Sequence, residues 1–168
     1  MRGKLPRTCN VQKETVRYGS FEGVISLSDL SRLAASVEDD KANINVTFEF
    51  YRNEIGLAVI RGKVKSSLNL NCQRCMQVMR VSIDCDFEFL LGANDGDIIA
   101  SGLDNIEIEN GFIDVYDLIE DELILALPLV SRHEYQDCNE YWSNQIDVDD
   151  AIEKENPFAV LAKLKGDL

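Results

Sequence analysis

The chain has 168 residues, 45% of them hydrophobic, enough for one domain with a real core, and no apolar run approaches the roughly 18–20 residues of a membrane span. Its net charge of −13 excludes a protein that binds nucleic acid through bulk positive charge alone. Five cysteines without framework spacing, and a basic N-terminus lacking the apolar centre of a signal peptide, exclude a secreted disulfide scaffold and predict a cytoplasmic protein.

Residues 1–20 carry scattered charge and Pro6, and predict an extended arm with one strand. Residues 21–27 predict a short strand. Ser28 then reads as the N-cap of a helix to Val37, with Leu30, Leu33, Ala34 and Val37 at the i, i+3, i+4, i+7 spacing of one buried face. Glu38, Asp39 and Asp40 close it, opposing the helix dipole. Residues 43–51 alternate without fault: Ile44, Val46, Phe48 and Phe50 share one face of a half-buried strand. After a turn at Arg52, Asn53 and Glu54, residues 57–70 place Ala58, Ile60, Val64, Leu68 and Leu70 on one face and Arg61, Lys63 and Lys65 on the other. A flat strand that long does not suit a small domain, so Gly62 and Ser66-Ser67 predict bends and a curled, partly barrel-like sheet.

Asn71-Cys72-Gln73-Arg74-Cys75-Met76 is the turn of the next hairpin. The returning strand, residues 77–91, sets Val81, Ile83, Cys85, Phe87 and Phe89 inward and Ser82, Asp84, Asp86 and Glu88 outward, so Cys85 reads as a small core residue. Three successive antiparallel strands make a meander. Residues 92–105, rich in Gly, Asp and Asn, predict a loop, and residues 106–109 a short strand. Asp114 caps a helix whose inward face is Val115, Leu118, Ile119, Glu122, Leu123, Ala126 and Leu127, ended by Pro128. Glu122 borders that stripe, either with its carboxylate in water or as a functional acid.

The fold class is therefore α+β, an antiparallel curled sheet with a few packed helices. The domain plan is one domain over residues 1–130, an acid-rich mobile segment over 131–156 with Tyr141-Trp142 as an anchor, and a short helix over 157–168. Asn156 and Pro157 suit its N-cap and first position, and Phe158, Leu161 and Leu164 form a docking face for the domain itself or a partner.

Cys-x-x-Cys on a tight turn is half of a tetrahedral metal site. A redox use would place the first thiol at a helix N-terminus, and no helical pattern follows Cys75. His133, the only histidine, stands five residues before Cys138, so Cys72, Cys75, His133 and Cys138 offer a structural zinc set. The alternative is that these groups never converge. Charge is distributed unevenly: residues 52–80 hold six Lys/Arg against one acid, and residues 81–168 hold four against 22. Arg61, Lys63, Lys65, Arg74 and Arg80 are thus candidate RNA phosphate contacts, or else they solvate an exposed sheet face and guard its edge. No P-loop, dinucleotide fingerprint or His-Glu-x-x-His is present, no small-molecule substrate is evident, and the single histidine leaves little for nucleophile-base chemistry; the reading leans away from an enzyme.

Three stretches, Asn71-Cys72-Gln73-Arg74-Cys75, the run Glu120-Asp121-Glu122-Leu123-Ile124-Leu125-Ala126-Leu127-Pro128 and the ending Asn156-Pro157-Phe158-Ala159-Val160-Leu161, in this order resemble the bacterial large ribosomal RNA subunit accumulation (YceD) family over nearly the whole chain. The resemblance implies a cytoplasmic factor for synthesis, processing or stability of large-subunit (23S) ribosomal RNA, without established catalysis. Its expected partners are precursor rRNA or an early large-subunit particle; the acid-rich half of the chain would keep it off bulk RNA or face a basic ribosomal protein. Two competitors stand beside it: an acidic adaptor that never touches RNA, and a metal-dependent ribonuclease.

Overall fold

A computed structural model describes residues 5–39, 41–134 and 138. The expected C-terminal helix with Phe158, Leu161 and Leu164, and the Tyr141-Trp142 anchor, lie outside the described residues. The fold below is that of the unit ending at His133.

Alternation of apolar and polar residues builds the main sheet. Strands β2 (Ser20–Ser26), β3 (Asn43–Arg52), β4 (Ala58–Asn71) and β5 (Val78–Leu91) pair antiparallel in sequence order. The short β6 (Asn105–Ile106) adds to the edge of β5 in parallel, so the curled sheet is mixed rather than purely antiparallel. The inward rows meet as expected: Ile44, Val46, Phe48 and Phe50 of β3, Ile60, Val64 and Leu68 of β4, and Ile83 and Phe87 of β5 are buried. Cys85, Val81 and Phe89 pack half-buried against the same core.

Gly62 lies in register between Phe48 and Phe87. A Cβ there would run into the Phe87 ring and stand 2.6 Å from the Thr47 carbonyl oxygen, a backbone atom that cannot turn aside. Gly62→Ala is expected to lower stability by about 1–3 kcal/mol, read as a lower urea midpoint with an unchanged slope.

The helices depart more from the sequence reading. The N-terminal arm is a strand, β1 (Thr8–Asn10), followed at once by a helix, α1 (Val11–Val16). The Asn10 side chain accepts a hydrogen bond from the Lys13 amide at 2.9 Å and so caps it. β1 pairs antiparallel with β7 (Phe112–Asp114), which buries Leu5, Cys9 and Val11.

The helix expected from Ser28 to Val37 is broken. Leu27–Asp29 is a single 3-10 turn, and α2 (Ser31–Ala34) follows after Leu30 adopts φ −120°, ψ 83°. Leu27, Leu30 and Leu33 are nevertheless all buried, so the apolar row reaches the core through the break. The stretch expected as a loop holds α3 (Asp95–Ser101), set by a capping box between Asn94 and Asp97 and closed by Gly102 at φ 68°. α4 (Val115–Ala126) is capped as predicted: Asp114 Oδ1 accepts from the Tyr116 and Asp117 amides at 2.9 and 3.1 Å. Leu127 turns extended before Pro128 and ends the helix. No helix among the described residues is long and apolar enough to cross a membrane.

Candidate metal centre

The β4–β5 ladder runs from Val59 opposite Leu90 to Asn71 opposite Val78, so its turn is residues 72–77. The Cys72 amide donates to the Gln77 carbonyl at 2.9 Å, and the Met76 amide donates to the Cys72 carbonyl at 2.8 Å. Met76 closes the turn in the left-handed region at φ 60°, a conformation that costs a non-glycine residue about 1–2 kcal/mol. Cys72 is fully buried and Cys75 half-buried.

The chain after α4 is tied to this turn. The Gln73 amide donates to the Ser131 carbonyl at 2.8 Å, and Arg74 Nη2 donates to the His133 carbonyl at 3.4 Å. With these links in place His133 Nδ1 is 3.4 Å from Cys75 Sγ. One ligand atom from each of Cys72, Cys75, His133 and Cys138 can be chosen so that all four lie within 4.8 Å of one another. Ligand bonds of about 2.3 Å from sulfur and 2.0 Å from nitrogen give tetrahedral edges of roughly 3.5–3.8 Å. The Cys75–His133 distance already matches such an edge, and the other edges need to close by no more than about 1 Å. The five cysteines are all thiols, as a metal set requires. The four residues singled out from spacing are therefore gathered in one place and can hold a metal ion.

Of the five candidate RNA contacts, four lie away from this turn. Arg61, Lys63 and Lys65 share the outer face of β4, and each is answered by the residue directly opposite in register. Arg61 Nε is 2.5 Å from Glu49 with its guanidinium over the Tyr51 ring; Lys63 is 3.0 Å from Asp86; Lys65 is 2.7 Å from Asp84. Hydrogen bonding to Asp86 and Glu49 holds the Lys63 and Arg61 groups above their ordinary range, and Lys65 holds the Asp84 carboxyl below its own. Arg80 on β5 donates to Ser67 Oγ at 2.6 Å. Arg74 stands in the metal-site turn.

Of the acids on α4 the sequence reading singled out Glu122, whereas the structure gives the defined partners to Glu120. Glu122 is half-buried, and burial followed by the Asp121 charge raises its carboxyl pKa. Its charge helps, after burial, to push up the Cys85 thiol. Glu120 is the acid with a defined set of partners. It is 4% exposed; Oε1 accepts from the Arg32 and Leu33 amides at 2.7 and 3.0 Å, and Oε2 accepts from Arg32 Nε at 3.0 Å. A glutamate four residues after Tyr116 and three before Leu123 sits on the apolar stripe itself, and that spacing was the available signal.

A curled α+β sheet whose longest hairpin ends in a Cys-x-x-Cys turn, facing a histidine and a third cysteine, defines a protein with a candidate Cys3His metal centre. The chain belongs to the family described as large ribosomal RNA subunit accumulation protein YceD, whose sequence profile matches residues 60–165. It is 37% identical over 168 residues to the large ribosomal RNA subunit accumulation protein YceD of Haemophilus influenzae, an alignment covering 96% of this chain and 97% of that one. No solved structure matches the chain.

Proposed function

We propose that this protein is a non-catalytic ribosome-biogenesis factor that supports the accumulation of large-subunit ribosomal RNA. The observation that carries the reading is the full-length likeness to an accumulation protein of that name. The expected site of action is precursor rRNA or an early large-subunit particle in the cytoplasm.

Within this reading Cys72, Cys75, His133 and Cys138 hold one zinc ion. Three thiolates and one imidazole suit zinc, and four protein ligands fill a tetrahedral ion, leaving no position for a catalytic water. That favours a structural ion over a metal-dependent ribonuclease. Bound there, zinc would fix the hairpin turn, with Arg74 in it, to the segment after α4. Arg61, Lys63, Lys65, Arg74 and Arg80 then offer cations along the hairpin, where phosphates would displace exposed carboxylate partners.

The second reading is an adaptor for a basic ribosomal protein. It is favoured by a cleft of about 640 Å³ rimmed by Glu107, Glu109, Asp117 and Asp121. A cell depleted of the protein tests the function: the ratio of large- to small-subunit rRNA is expected to fall, to recover with the wild-type gene and to recover poorly with Cys72→Ser. An unchanged ratio on depletion would overturn the reading.

A further inference from the structure

The outer face of the β3–β4–β5 sheet is not uniform. Towards the β3–β4 turn it is a lattice of alternating charges, Glu49 with Arg61 and Lys63 with Asp86. Towards the metal-site turn it becomes a polar cleft of about 600 Å³. Its principal lining is Lys41, Asn43, Asn45, Lys65, Asn69 and Arg80, with Ser66 and Ser67 between them.

Charge singles this cleft out. Among the described residues its lining holds three cations and one carboxylate, a net +2, in a chain of net −13. The carboxylate, Asp39, is half-buried and already engaged: it accepts from the Asn69 amide and side chain at 2.5 and 2.7 Å. Lys65 shares Asp84 across an exposed pair, a weak contact that exchanges for a phosphate. Arg80 uses Nε on Ser67, which steadies a guanidinium with further donors to offer.

The uncharged lining narrows the ligand. Asn43 and Asn45 are exposed and alternate along β3, so both amides stand on one face. Amides and serine hydroxyls both donate and accept, as a ribose 2′-hydroxyl requires of its partners. Recognition of single-stranded RNA stacks unpaired bases on aromatic rings. Among the described residues no aromatic ring lines this cleft. Cations for phosphate, amides and hydroxyls for sugar, and nothing for a base face describe the backbone of helical RNA.

We propose that this cleft binds the sugar–phosphate backbone of an A-form RNA helix. The inference rests on the rRNA reading above and deepens it, assigning Lys41, Asn45 and Arg80 as contacts.

The test is fluorescence anisotropy of the full-length protein with an RNA duplex of about 16 base pairs, the DNA duplex of the same sequence, and one RNA strand alone. The RNA duplex is expected to bind more tightly than the other two. Lys41→Ala/Arg80→Ala should weaken it about tenfold and reduce the slope of log affinity against log salt by roughly 2. Asn45→Ala should narrow the RNA-over-DNA preference. These side chains are exposed, so the variants should keep the fold, checked by their unfolding midpoints. If Arg61→Ala/Lys63→Ala weakens the duplex and the cleft variants do not, the cleft assignment is overturned and the rRNA reading stands. Preference for the single strand overturns the helical-RNA assignment. If no RNA binds at any salt, the cleft inference falls, while the cellular rRNA ratio still judges the reading beneath it.

Discussion

Stripping metal from the purified protein with a strong chelator is expected to lower its unfolding midpoint by roughly 8–16 °C. A ligand bound only by the folded chain stabilises it by about 4 kcal/mol when free ligand exceeds the dissociation constant a thousandfold. Each kcal/mol moves the midpoint of a chain near this size by about 2–4 °C. The structural reason for so large a response is local. The turn is closed by Met76 in the left-handed region, and beyond the ladder's end at Asn71 and Val78 it is tied to the segment after α4 by the bonds from Gln73 to Ser131 and Arg74 to His133. Four ligands drawn to one ion would restrain all of this together. Elemental analysis should find one zinc per chain, lost in Cys72→Ser and in Cys75→Ser and kept in Cys85→Ser, whose sulfur packs on the core face. Equal metal in wild type and Cys72→Ser, or an unmoved midpoint after chelation, would remove the metal from the account.

The sheet could be read from the sequence because its period is short and unbroken. Ile44 to Phe50 and Val81 to Phe89 alternate, and alternation has one structural solution when one face is buried. The cross-strand partners were readable too. Closing Asn71 on Val78 fixes Lys63 opposite Asp86 and Lys65 opposite Asp84, so the row of cations and the row of acids already implied an ion-paired face. The short helices were harder. α3 buries no residue and so leaves no apolar period; only its capping box and Gly102 mark it. α2 has an apolar period, but Leu27, Leu30 and Leu33 would share a face of one unbroken helix too, so the period does not mark the break at Leu30. β6 pairs with β5 through two residues, too few to show a period at all. The half of the metal set on the hairpin was legible from its two-residue spacing, whereas His133 and Cys138 were legible only as ligand types, because no local pattern shows that the segment after α4 returns to the turn, as the bond between Gln73 and Ser131 shows it does.

Glu120→Ala is expected to destabilise the fold by about 2–4 kcal/mol. The first turn of α2 begins after Leu30, which has no side-chain oxygen to accept its leading amides. Glu120, reaching across from α4, supplies that oxygen from a position 88 residues away in sequence. It therefore acts as an N-cap borrowed from another helix, and a helix as short as α2 cannot hold itself without outside support. Truncation leaves the Arg32 and Leu33 amides without their acceptor, and Leu33 is fully buried. Losing a cap costs about 1 kcal/mol and stranding a buried donor about 1–3 kcal/mol more. Glu120→Gln keeps the side-chain length and one carbonyl acceptor but gives up the charge, which roughly doubles such bonds, so a loss of about 1–2 kcal/mol is expected. Asp121→Ala removes the neighbouring contact to Arg32, a pair whose side chains are 53% and 55% exposed, and should cost under about 1 kcal/mol. Urea unfolding should thus rank Ala at 120 below Gln at 120, and both below Ala at 121, with one common slope. If Glu120→Ala matched Asp121→Ala, the buried carboxylate would be a bystander and α2 would owe its position to Leu30 and Leu33 alone.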